Sequence, residues 1–101
     1  SGDITCDKSS KVKLVLTEGS SYSGAFDAKG AAAYSKVYLS RNSAWNVTGD
    51  SHIDSLRNGD KKCRNIKSNG HTVYYDKNRE ANDWLGGKTL SLPGGGKLQP
   101  E

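Results

Sequence analysis

Methionine is absent from this 101-residue chain, phenylalanine occurs once, proline twice and cysteine twice. Each scarcity excludes something. With 33% hydrophobic residues, the core of what is at most one domain must be thin. No apolar run approaches the ~20 residues that a membrane-spanning helix needs. No window carries the 3.6-residue periodicity of a long amphipathic helix. Cys6 and Cys63 stand far apart, without the close pairing of a zinc or redox motif. Neither a GxSxG nor an HExxH motif occurs, and His52 and His71 have no nucleophile motif around them.

What the chain does have is twelve glycines, five tyrosines, two tryptophans and spaced aliphatic residues, a composition of turns between short strands. Alternation with period two is plain in KVKLVL, where Val12, Leu14 and Leu16 share a face, and in KVYLS, where Val37 and Leu39 do. Three stretches resemble one another: LVLTEGSSYSGAF from Leu14, VYLSRNSAWNVTG from Val37 and RNIKSNGHTVYYD from Arg64. Each has an aliphatic residue (Leu16, Leu39, Ile66), a turn residue three later (Gly19, Asn42, Asn69), then an alternating stretch with aromatic or β-branched residues. The steps from Leu16 to Leu39 and from Leu39 to Ile66 are 23 and 27 residues, in the range that marks a solenoid.

The expected fold is therefore all-β: a short right-handed parallel β-helix of about four coils, with a β-sandwich as the alternative. In this reading AWNVT is one side of a coil, Gly49-Asp50 a corner and HIDSL the next side. Leu14, Leu16, Val37, Leu39, Ile53, Leu56 and Ile66 form one buried column, and Asn42 and Asn69 occupy equivalent corners. The Gly- and Pro-rich residues 86–101 are the C-terminal cap of a single domain spanning 1–101.

SAWNVTGDSHIDSL, NIKSNGHTVYYD and WLGGKTLSLPGGGKLQPE resemble the last coils of secreted bacterial right-handed parallel β-helix proteins, some with a pectate-lyase-like shape and carbohydrate-binding character. The resemblance implies a secreted or cell-surface location, a non-catalytic glycan-binding or adhesion role, and a chain that is the C-terminal part of a larger protein. It leaves as alternatives a purely structural cap of a surface protein and a fragment of a polysaccharide lyase. The chain departs from the pattern in its length and in Cys6 and Cys63.

For polysaccharide binding the candidate residues are Tyr38, Tyr74, Tyr75 and Trp84, with Tyr34 behind them. Sugars stack on aromatic faces, and outward aromatics on successive coils would form a ribbon at ~4.8 Å per step. Trp45 and Tyr22 read instead as core residues. Arg57, Lys61, Lys62, Arg64 and Lys67 face only Asp60 between positions 57 and 67, so an acidic glycan suits the chain. The absence of aromatics within that run argues against nucleic acid. A lyase would need a calcium-binding carboxylate cluster, for which Asp50 and Asp54 are the nearest candidates, with Arg57 or Arg64 as base. Otherwise no cofactor is implied. A short solenoid also exposes its first coil, so a second copy or upstream coils are candidate partners. In a secreted chain the even cysteine count favours a Cys6–Cys63 bridge, worth roughly 4 kcal/mol for a loop of about 57 residues, with residues 1–10 folding back to bring the two together.

Overall fold

In a computed structural model, which describes residues 11–26 and 34–101, the chain winds as a parallel β-solenoid of about four turns with three sides. The first side stacks β1 (Lys11–Leu16), β3 (Tyr34–Leu39) and β6 (Ser55–Asn58) in parallel. The second stacks β2 (Ser21–Ser23), β4 (Ala44–Asn46) and β7 (Ile66–Lys67). The third stacks β5 (Ser51–Ile53), β8 (Thr72–Tyr75) and β10 (Lys97–Pro100), with β9 (Leu90–Ser91) antiparallel on the outer edge of β10. Neighbouring coils thus pair each other's backbone N–H and C=O groups, which is how a chain poor in apolar residues satisfies its buried peptide groups.

Strand alternation builds the core from all three sides. Val37, Leu39 and Leu56 enter from the first, Trp45, Val47 and Ile66 from the second, and Ile53, Val73, Tyr75 and Leu98 from the third. Phe26 of the first coil meets Trp45 edge to face at 6.4 Å, and the Trp45 indole N–H is satisfied by Gly24 O at 3.0 Å. Of the seven expected core residues six are buried, and Leu14 is half-buried against them. They do not form one column, however. Leu14, Val37 and Leu56 stack on the first side, whereas Ile66 lies beneath Trp45 on the second and Ile53 belongs to the third.

The register explains the difference. Leu16 pairs with Leu39 and Tyr22 with Trp45, as the first two repeats require. The partner of Leu39 in the third coil is Asn58, and Ile66 pairs with Trp45. The third repeat is therefore displaced by one side of the coil. HIDSL likewise spans two sides, with Asp54 as the single residue between β5 and β6. Asn42 turns the corner from the first side to the second and Asn69 the corner from the second to the third. Both still bond to the coil before: Asn42 to Glu18, Asn69 to the Asn46 amide at 2.8 Å and to Val47 O at 2.7 Å.

The cap is broader than residues 86–101 and closes each side by a different device. On the first side a 3-10 helix, Glu80–Leu85, replaces a fourth strand. Its side chains serve the β6 edge: Leu56 N–H donates to Asn82 Oδ1 at 2.8 Å, and Trp84 Nε1 donates to Leu56 O at 3.0 Å. On the second, Ser68 N–H donates to Pro93 O at 2.8 Å. Gly96 is required there, since a Cβ would sit 1.9 Å from His71 O. On the third, β10 is itself the fourth-coil strand and β9 covers it. No helix among the described residues is long and apolar enough to cross a membrane.

The expected bridge is not found. Cys63 is a free thiol, fully buried in the core cluster. Its backbone is left-handed, φ 56°, within the turn between Lys62 and Arg64, and its side chain is buried among apolar groups. Cys6 and the path of residues 1–10 lie outside the described residues.

Candidate functional site

The aromatic candidates occupy separate places. Tyr38 points outward from β3 and is 47% exposed. Its neighbours on the same face are Val15 of β1, 45% exposed, and Arg57 of β6. Tyr74 points outward on the third side, half-buried and stacked on His52 of β5 at 4.9 Å. Tyr75 is buried, and its hydroxyl donates to Lys88 O at 2.6 Å. Alternation in TVYY permits either register, and the structure selects Val73 and Tyr75 inward. Burial pushes the Tyr75 hydroxyl pKa up and removes the ring from any sugar platform.

Trp84 is half-buried in the cap, where Lys61 Nζ lies 4.7 Å over its ring. Tyr34 donates to or accepts from Ser55 Oγ at 2.8 Å, and Arg79 covers its ring at 4.9 Å. Above and below Tyr38 stand an aliphatic residue and a cation, so the candidates do not line up as a ribbon along the stack.

Around Tyr38 the surface is concave and basic. A depression of about 370 Å³ is lined by Lys36, Tyr38, Arg57, Asn58, Gly59 and Lys61. Beside it a second, of about 500 Å³, shares Gly59 and Lys61 and adds Arg41, Lys62 and Arg64. The two meet where β6 runs into the corner of residues 59–65. Gly59 is needed at the junction, because a Cβ there would lie 2.8 Å from Arg41 N on the coil before.

That corner is held from within. The Asp60 carboxylate accepts the N–H groups of Lys62 and Arg64 on separate oxygens, each at 3.0 Å. The amides of Asn58 and Asn65 donate to each other at 2.8 and 2.9 Å, and Asn65 Nδ2 also reaches Ser40 O. Cys63 anchors the loop in the core, where burial pushes its thiol pKa up to about 11. The result is a fixed turn that directs three cations outward. Arg41 joins them only through stacking of corner on corner, and Asn58 gave no signal in the sequence beyond its place beside the basic run.

The carboxylates considered for calcium are engaged elsewhere. Asp50 Oδ1 accepts Thr72 N–H at 2.9 Å and lies 3.7 Å from His71 Nδ1. Asp54 Oδ2 accepts Ser35 N–H at 2.6 Å at a different corner. Among the described residues no group of three His, Cys, Asp or Glu side chains converges as a metal site. Comparison with protein-family models, curated proteins and solved structures gives no match.

Proposed function

We propose that this chain is a non-catalytic glycan-binding or adhesion module that acts outside the cell or at its surface. It holds polysaccharide on the outer face of its first side. The observation that carries this reading is Tyr38: a large ring, 47% exposed on a parallel sheet, at the rim of a polar depression. Sugar rings stack on such faces, while neighbouring Lys36, Asn58 and Lys61 offer donors to hydroxyl and carboxylate groups. The commitment of Asp50 and Asp54 to backbone N–H groups at different corners supports binding without lyase chemistry.

The test is affinity electrophoresis through gels containing pectin, cellulose derivatives or uronate polymers. Tyr38→Ala should weaken retention about two- to tenfold, the value of an aromatic contact of ~0.5–1.5 kcal/mol. Melting should stay nearly unchanged because the side chain is exposed. A folded sample that no polymer retards removes the proposal. A purely structural role, as the closed end of a longer solenoid, is the second reading; the observation favouring it is the cap that covers all three sides.

A further inference from the structure

We propose that the ligand is a polyanionic glycan and that it lies around the coil, along the groove from Tyr38 to the corner of residues 59–64, instead of along the stack. This rests on the glycan-binding reading and specifies its ligand and direction. The first support is what stands beside Tyr38. A polymer following the stack towards β1 would pass from Tyr38 to Val15 and Lys13, and among the described residues no aromatic ring stands on that path. A polymer following the strand direction passes from one depression to the other, since the two adjoin at Gly59 and Lys61.

The second support is charge. Lys36, Arg57, Lys61, Arg41, Lys62 and Arg64 line the groove, against Asp60 as the one acid among its lining residues. Both Asp60 oxygens accept the loop's own N–H groups, which offsets part of its charge, and the lining keeps a net excess of five positive charges. Six like charges on one concave surface repel each other and focus a positive potential into the groove. A chain of regularly spaced anions relieves that repulsion and releases its own counterions on binding, as nucleic acids do on basic proteins.

The third support is rigidity. The Asn58–Asn65 amide pair and buried Cys63 fix the corner before any ligand arrives, so little ordering cost is added on binding. Sugar stacks at the Tyr38 end and anionic groups are held at the corner end. Nucleic acid fits less well, because successive bases want successive rings and the groove offers a single exposed one.

Gels containing polygalacturonate, dextran sulfate, hydroxyethylcellulose and single-stranded DNA test this with the intact chain. Four exposed-site variants are compared after circular dichroism confirms folding: Arg41→Glu with Arg64→Glu, Arg64→Gln, Tyr38→Ala and Lys13→Glu. The proposal expects retention by the carboxylated polymer, the sulfated one or both, and whichever retains it names the anion. It also expects loss of about tenfold or more for the double reversal, a smaller loss for Arg64→Gln, and weakening at high salt. Lys13→Glu should cost clearly less than the double reversal, because Lys13 lies outside the lining and only adjoins it through its ladder partner Lys36.

Loss with Lys13→Glu as large as with the double reversal means the polymer follows the stack and overturns the direction. Tyr38-dependent retention by the neutral polymer, no weaker than by the acidic ones, overturns the polyanion while leaving the glycan reading intact. Retention by no polymer sinks both. Tighter retention by DNA than by either acidic glycan, indifferent to Tyr38, reassigns the groove to nucleic acid and also overturns the proposal.

Discussion

Replacing Asn82 with Leu tests how the solenoid ends. Asn82 is 1% exposed, and its amide serves three backbone groups. It accepts Leu56 N–H at 2.8 Å and donates to Asp54 O at 2.8 Å and Asp76 O at 2.7 Å. One side chain thus supplies what a fourth strand would give the β6 edge and also ties down the chain leaving the third side. Leucine has the same branched skeleton with bulkier ends, so it leaves no cavity and adds some crowding; what it removes is partners. Leaving a buried polar group unsatisfied costs about 1–3 kcal/mol. Three such groups, with partial rescue by water at the end of the solenoid, suggest a loss of about 3–5 kcal/mol. Against a total stability of roughly 5–15 kcal/mol this is a large share. Urea unfolding followed by circular dichroism measures it directly. The bared edge of β6 should also pair with other chains, giving concentration-dependent association in sedimentation. A loss below about 1 kcal/mol, with the variant still monomeric if the parent is, would refute the idea that Asn82 closes this side.

Two further outcomes follow from the core. Leu39, 1% exposed between Leu16 and Asn58 on the middle strand of the first side, should cost about 2–5 kcal/mol as Leu39→Ala; unchanged stability in urea would count against the stacked coils. Burial raises the Cys63 thiol from its ordinary 9.0 to about 11, so the neutral folded form is favoured; stability should be full below pH 9, decline between about 9 and 11 and level off above. Two pKa units correspond to about 3 kcal/mol as an upper figure, with Tyr75 adding a loss of the same sign above pH 10, and a Cys63→Ala variant should flatten the first part of that profile.

Much of the coil was legible in local pattern. Alternation in KVKLVL and KVYLS fixed the inward faces, and the step from Leu16 to Leu39 is the true register of β1 on β3. It was legible because the first two corners between these sides, residues 17–20 and 40–43, have equal length. The third, residues 59–65, is longer, and β7 after it has only two residues. Neither an alternation nor a constant step survives such an insertion, so local pattern aligns Ile66 with Leu39, whereas its ladder partner is Trp45. Short β6 was hidden for a related reason: its inward residues are Leu56 and Asn58, and a buried asparagine does not read as core. Its burial makes sense only with Asn65 opposite, a pairing that requires the loop to close. The site divides similarly. The basic run and the outward face of Tyr38 follow from composition and alternation, whereas Arg41, which lies a whole coil earlier, reaches the groove only through stacking.

The extra residues of the third corner have no counterpart on the coil above, so they cannot be stabilised by the ladder that holds everything else. The corner must carry its own restraints. Asp60 closes it on the outside, the Asn58–Asn65 pair at its base, and Cys63 from the core. Once Cys63 occupies the inward position, Lys61, Lys62 and Arg64 are left on the outside, all three exposed, with Lys61 over the Trp84 ring. A loop with no purpose beyond connection would be more stable without three adjacent cations at its tip. It would also need no fixed shape, since connections ordinarily tolerate change. Here the same residues that deny the loop its freedom aim its charges at one groove, and Lys61 ties it to the cap through the Trp84 ring. Rigid presentation of like charges is costly to folding and useful to recognition, which is what the proposed capture of a polyanion requires of this corner.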